Sequence, residues 1–174
     1  MLLSNSVFRT EVNDDVHSIY FTHAKRVALT PIAMWQGLEQ AMTDTRASWL
    51  WPEEFSIHRP EVLPLAEGGY FNTTYRMTHP DTHKTSEYQY RYRMVRWRPD
   101  EYLFEYQAQK GHPFRGGGVV TLQPLTEGGV LFTWDGVYQY TSDRAGAEEI
   151  FSWYFPTFFR RMDQKIKAYV AIAV

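Results

Sequence analysis

Residues 151–170 read FSWYFPTFFRRMDQKIKAYV. Within and around them Phe151, Phe155, Phe158, Met162, Ile166, Tyr169 and Val170 recur at intervals of three and four, the spacing that lines up side chains along one stripe of an α-helix. So apolar a stripe has to lie against a core. The charges agree: Glu148 and Glu149 come early, while Arg160, Arg161, Lys165 and Lys167 come late, the order that the helix dipole favours. Pro156 cannot donate to the carbonyl of Ser152, so either the helix kinks there or its main part begins with Pro156 in the first turn. A long helix over roughly Gly146 to Ala171 is therefore the closing element.

The chain before it is of a different kind. Six extended segments follow one another, Glu54 to Leu65, Tyr70 to Thr78, Thr85 to Arg98, Glu101 to Gln109, Gly118 to Leu125 and Val130 to Tyr140. Turn signals divide them: Glu67-Gly68-Gly69, His79-Pro80-Asp81, Pro99-Asp100, Gly111-His112-Pro113 with Gly116-Gly117, and Glu127-Gly128-Gly129. Dividers this short make neighbouring strands antiparallel. A further strand, Val16 to Leu29, runs into Thr30-Pro31, where threonine can cap free N–H groups and proline fits the first helical position. Ile32, Met34, Trp35, Leu38 and Met42 then recur at helical spacing.

The expected fold is α+β, a single domain over residues 1–174. A curved antiparallel sheet of about seven strands wraps a long C-terminal helix, with two short helices after the first strand. This order, the entry Thr30-Pro31-Ile32-Ala33-Met34-Trp35 and the aromatic-rich closing helix resemble the START-like superfamily, also called SRPBCC or helix-grip proteins, which includes Bet v 1-like proteins and polyketide cyclases. The resemblance implies an internal cavity between sheet and terminal helix. It does not imply one function, since one fold hosts many.

Composition narrows the function. Eighteen Lys and Arg stand against 20 Asp and Glu, a formal charge of −2, so nothing global draws the chain to nucleic acid. Cysteine is absent, which excludes disulfides, a thiol nucleophile and Cys-ligated metals. No run of about 18 apolar residues is available to span a membrane, and the start lacks a leader's charged and apolar regions, so a cytoplasmic protein is expected. Aromatic residues make up 17% of the chain, a surplus suited to flat or apolar partners.

The last strand puts Phe132, Trp134, Gly136, Tyr138 and Tyr140 on one face. With Phe104, Tyr106, Phe155, Phe158 and Met162, the rings Phe132, Trp134 and Tyr138 form the expected cavity wall. If Pro99-Asp100 is a two-residue loop, Trp97 faces Tyr102, Val95 faces Phe104, and Arg93 faces Tyr106. Arg91 and Arg93 then either enter the cavity, to hold a carboxylate, phenolate or enolate, or sit on the solvated face paired with Glu87 and Glu105.

Three functions remain open. One is binding of a small, flat, largely apolar or aromatic molecule. A second, implied by the resemblance to polyketide cyclases and aromatases, is proton-transfer chemistry without a cofactor. There Arg91 or Arg93 would stabilise an enolate, and Tyr106, His58 or Asp135 would act as acid or base. The third is an interaction module whose tyrosine-rich sheet face forms a homodimer. His79 and His83 read as turn residues, a cluster of His17, His23 and His58 is the one metal arrangement geometry allows, and no Ser-His-Asp set is legible from order or spacing. No metal site is expected. The glycine-rich run 111–118 joins strand to strand, so it reads as a hairpin loop, and as a lid at the cavity mouth, rather than as a phosphate loop.

Overall fold

A computed structural model describes residues 5–43, 48–58, 65–142 and 153–173. Eight strands form one antiparallel sheet in the order β1-β2-β8-β7-β6-β5-β4-β3. They are β1 (Asn5–Asn13), β2 (Val16–Val27), β3 (Phe55–His58), β4 (Tyr70–Thr78), β5 (Thr85–Arg98), β6 (Leu103–Ala108), β7 (Arg115–Pro124) and β8 (Val130–Thr141). Helix α1 (Pro31–Thr43) follows β2, and α2 (Phe155–Ala173) ends the described chain.

The expected count of about seven strands is short by one. β1 is the addition: it folds back on β2 across a tight turn in which Asp14 takes φ 51, so that Asn13 pairs with Val16. Only one of the two expected short helices lies among the described residues. Its start is as the sequence predicts, with the Ala33 N–H donating to the Thr30 hydroxyl at 3.2 Å. Met34, Trp35, Leu38, Ala41 and Met42 are buried, while Ile32 faces solvent.

In α2, Pro156 occupies the first turn, where a missing N–H costs nothing. The part of the expected helix before residue 153, with Glu148, Glu149 and Phe151, lies outside the described residues. Phe158, Phe159, Met162 and Ile166 are buried against the sheet, and Phe155 is half-buried. A polar fastening joins helix and sheet. His23, wholly buried on β2 and stacked on Phe159 at 4.6 Å, meets Asp163 Oδ1 through Nε2 at 3.1 Å and Ser6 Oγ through Nδ1 at 2.8 Å. Lys25 Nζ reaches the same carboxylate at 3.2 Å. The fold thus assembles a Ser, a His and an Asp that sequence order does not reveal, but the imidazole is sealed under a ring, and the row holds α2 on β2.

The expected β5–β6 register is wrong, for two reasons. Pro99–Glu101 form a helical turn with Tyr102 left-handed at φ 51, so the loop is longer than two residues and Arg98 pairs with Leu103. A bulge at Val95 then lets Trp97 face Phe104 while Met94 faces Tyr106. The extra residue reverses side-chain parity along β5. Tyr92 and Met94 on one side of it and Trp97 on the other all point to the core, leaving Arg91, Arg93, Val95 and Arg96 exposed.

Candidate functional site

Between the sheet and the start of α2 lies a narrow cleft. Tyr75 and Met77 of β4, Tyr90 and Tyr92 of β5, Tyr138 of β8, His112 and Phe114 of the β6–β7 turn, and Tyr154 and Phe155 at the head of α2 line it. Its clear volume is about 20 Å³, room for one water molecule. Among the described residues no acidic residue, lysine or arginine contributes to the wall.

The polar atoms of this wall and of the core behind it form a hydrogen-bonded chain. Trp134 Nε1, which can only donate, gives its proton to the Tyr106 hydroxyl at 2.9 Å, and Tyr106 and Tyr138 hydroxyls meet at 3.3 Å. Tyr138 is in turn hydrogen-bonded to Tyr92. From the other side, the Phe114 N–H donates to His112 Nδ1 at 3.0 Å. That fixes the proton of a neutral imidazole on Nε2, which meets the Tyr92 hydroxyl at 2.8 Å. The Tyr92 hydroxyl also meets that of Tyr75 at 3.4 Å. Beside Tyr75 lies the buried hydroxyl of Thr73. The Tyr154 hydroxyl, buried in the same wall, has no hydrogen-bond partner among the described residues.

Burial raises the pKa of Tyr75, Tyr90, Tyr92, Tyr106, Tyr138 and Tyr154 above the ordinary tyrosine value, so all remain protonated at neutral pH. Desolvation also lowers His112 from 6.5 to about 4, keeping it neutral. The unfolded chain thus binds more protons than the folded one between these values. Stability from this group is complete above pH 6.5 and is lost as pH falls toward 4, by about 3 kcal/mol at most. Denaturation at pH 7 and 4.5 should show a smaller loss for His112→Gln than for the wild type; equal losses would show that burial does not hold His112 neutral.

Of the expected wall residues, Tyr138 and Phe155 line the cleft. Phe104, Phe132, Trp134, Phe158 and Met162 are buried in the packed core, and Tyr106 touches the cleft only through the hydrogen-bond chain. Arg91 lies over the Tyr70 ring at 4.3 Å, and both Arg91 and Arg93 are exposed. The carboxylates expected beside them pair elsewhere: Glu105 with Arg96 at 2.5 Å and Glu87 with Arg76 at 3.4 Å. Asp135 accepts from the Thr22 hydroxyl at 2.6 Å on the outer face, where β8 runs without a bulge. Gly136 makes space for the Phe21 ring, which a Cβ would meet at 2.3 Å. His58 ends β3 opposite Asn72, and its side chain lies outside the described residues.

His79 Nδ1 caps its own turn, accepting from Asp81 and Thr82 N–H groups. His17 is bonded to Ser142 and stacked on Tyr140. Among the described residues no group of three His, Asp or Glu is placed to hold a metal, and no helix is long and apolar enough to cross a membrane. Sequence reasoning missed Tyr75, Tyr90, Tyr92, His112, Phe114 and Tyr154 as a site. The available signal was Tyr88-x-Tyr90-x-Tyr92, an alternating aromatic row on the strand parity opposite Arg91 and Arg93.

No family model matches the sequence, and no curated protein does. Solved structures do match in shape. Protein Ms6760 from Mycobacterium smegmatis aligns with TM-score 0.60 at 16% identity, covering 95% of this chain and 96% of that one. Ara h 8.0201 aligns with TM-score 0.57 at 14% identity over 88% and 99%. TTHA0849 from Thermus thermophilus gives 0.56 at 12% over 88% and 98%. The fold is Bet v 1-like.

Proposed function

We propose that the protein binds a small, largely apolar, ring-sized molecule in the cleft between β4, β5, β8 and the head of α2. One observation carries this reading: among the described residues the wall is built almost wholly from aromatic rings and holds no charged side chain. The cleft is too narrow as it stands, so a ligand has to widen it. Its half-buried rings, Tyr75, Tyr90, His112 and Phe155, are the ones free to yield, while Tyr92, Phe114, Tyr138 and Tyr154 are packed. The glycine-rich turn beside the cleft takes part through His112 and Phe114, which it folds inward as part of the wall.

Proton-transfer chemistry of the cyclase kind needs a base facing the ligand. Here the unprotonated nitrogen of His112 is occupied by the Phe114 N–H, and the tyrosines keep their protons. Binding is therefore the better-supported reading.

The test is an NMR titration with α-methylstyrene, an uncharged single-ring probe. Saturable binding at one site is expected, with shifts centred on Phe114, Tyr138 and Phe155. Met77→Trp, which plugs the cleft, should weaken binding at least tenfold. Unchanged affinity in a folded Met77→Trp protein would place the ligand elsewhere.

A further inference from the structure

We infer that the protein pairs with a second copy of itself through the outer edge of β1, the two strands running antiparallel about a two-fold axis at Thr10. The two ends of the sheet are built differently. β3 closes one end with only four residues, whereas β1 closes the other with nine, and among the described residues nothing pairs with its outer edge. Proline, bulges and charges turned inward are the usual means of blunting such an edge. β1 has none of them. NSVFRTEVN contains no proline, and its register against β2 is unbroken. Ser6 and Phe8 meet His23 and Phe159 on the inner face, so alternation puts Thr10 and Val12 there too, and none of the four is charged. The two charges that β1 does carry, Arg9 and Glu11, share the outer face and are of opposite sign.

Those charges make the strand complementary to itself. With the axis at Thr10, Arg9 of each strand stands opposite Glu11 of the other, and the pair that the two already form at 3.1 Å within one strand is kept. Each charge then has opposite charges as its neighbours, both along the strand and across it. On the inner face Phe8 of each strand stands opposite Val12 of the other, which covers a half-buried ring and a valine that is 57% exposed. Moving the axis by one residue either way puts Arg9 opposite Arg9 or Glu11 opposite Glu11, so charge selects the register. The axis is normal to the sheet and keeps inner face beside inner face. The assembly closes at two, because β3 at the far end is too short to repeat the contact. An interface one strand wide makes a weak dimer, in exchange with the monomer.

Sedimentation velocity of the full chain should show a dimer fraction that grows with concentration into the submillimolar range. Glu11→Arg, which sets arginine opposite arginine, should weaken the dimer about tenfold, and the exchange Arg9→Glu/Glu11→Arg in one chain should restore it. Circular dichroism checks that each variant keeps the fold. The sequence has no cysteine, so a single introduced thiol reports the register. Thr10→Cys, opposite its own copy with about 5 Å between Cα atoms, should cross-link the dimer on treatment with diamide, while Val7→Cys, about 20 Å from its copy, should not. A protein that stays monomeric throughout, a dimer that a folded Glu11→Arg protein retains in full, a folded double exchange that does not restore it, or cross-linking at Val7 as ready as at Thr10 would each overturn the inference. None of these outcomes bears on binding in the cleft.

Discussion

Trp134→Ala should destabilise the protein by about 3–5 kcal/mol, the usual cost of emptying a buried tryptophan site. The indole is packed at ring-centroid distances of 5.4 Å from Phe159, 6.0 Å from Phe158, 6.1 Å from Tyr106 and 6.1 Å from Trp51. It joins α2, β6 and the segment after α1 into one core. Its loss also takes the indole N–H from the Tyr106 hydroxyl. Trp134→Phe separates the two effects: it keeps most of the packing and should cost less stability while still removing that hydrogen bond. Urea denaturation of both variants measures the difference. A Trp134→Ala protein as stable as wild type would remove this ring from the core.

Gly116→Ala should cost about 3 kcal/mol or more, combining backbone strain with overpacking. Gly116 has φ +109, and a Cβ there would stand 2.0 Å from the Val137 carbonyl oxygen, a backbone atom of the paired strand. Neither neighbour can move without breaking the β7–β8 ladder, in which Gly116 faces Tyr138. Gly118, two residues on, is a contrasting case. A Cβ there would meet the Tyr106 hydroxyl at 2.7 Å and Trp134 Nε1 at 2.9 Å, so this glycine leaves room for the bond that starts the polar chain. An unchanged urea midpoint for Gly116→Ala would show that β7 does not take this backbone course.

Local signals made much of the fold legible. The bounds of β4 and β5 coincide with those expected, and the α1 cap forms at Thr30, because a turn signal or a capping side chain is decided by neighbours in sequence. β1 was illegible for the opposite reason. Residues 5–13, NSVFRTEVN, bring only Phe8 to the core as a large ring, packed 6.2 Å from Phe159, so no regular apolar alternation marks them as a strand. The candidate site failed at a finer level. Tyr88, Tyr90 and Tyr92 were visible as a row, yet the face they take depends on the bulge at Val95 and on the left-handed Tyr102, which only pairing with β6 decides. His112 gave no signal in a run of glycine and proline. Its ring turns inward because Tyr92, Tyr138 and the Phe114 N–H are waiting for it, and all three are tertiary or conformational facts.

The pairing of β2 with β8 carries a consequence for how the chain is made. Val16 stands opposite Thr141 and Val27 opposite Val130, so these neighbouring strands are separated in sequence by more than half of the chain. Translation at about 5–20 residues per second leaves β2, once out of the ribosome, roughly 5–25 seconds without that partner. Through this interval it can complete only the hairpin with β1, and a lone two-stranded hairpin is marginal in water. His23 meanwhile lacks the Asp163 that will cover it, because α2 follows every strand of the sheet in the chain. The inner edge of β2 therefore stays open until β8 is made, and the sheet cannot close before then.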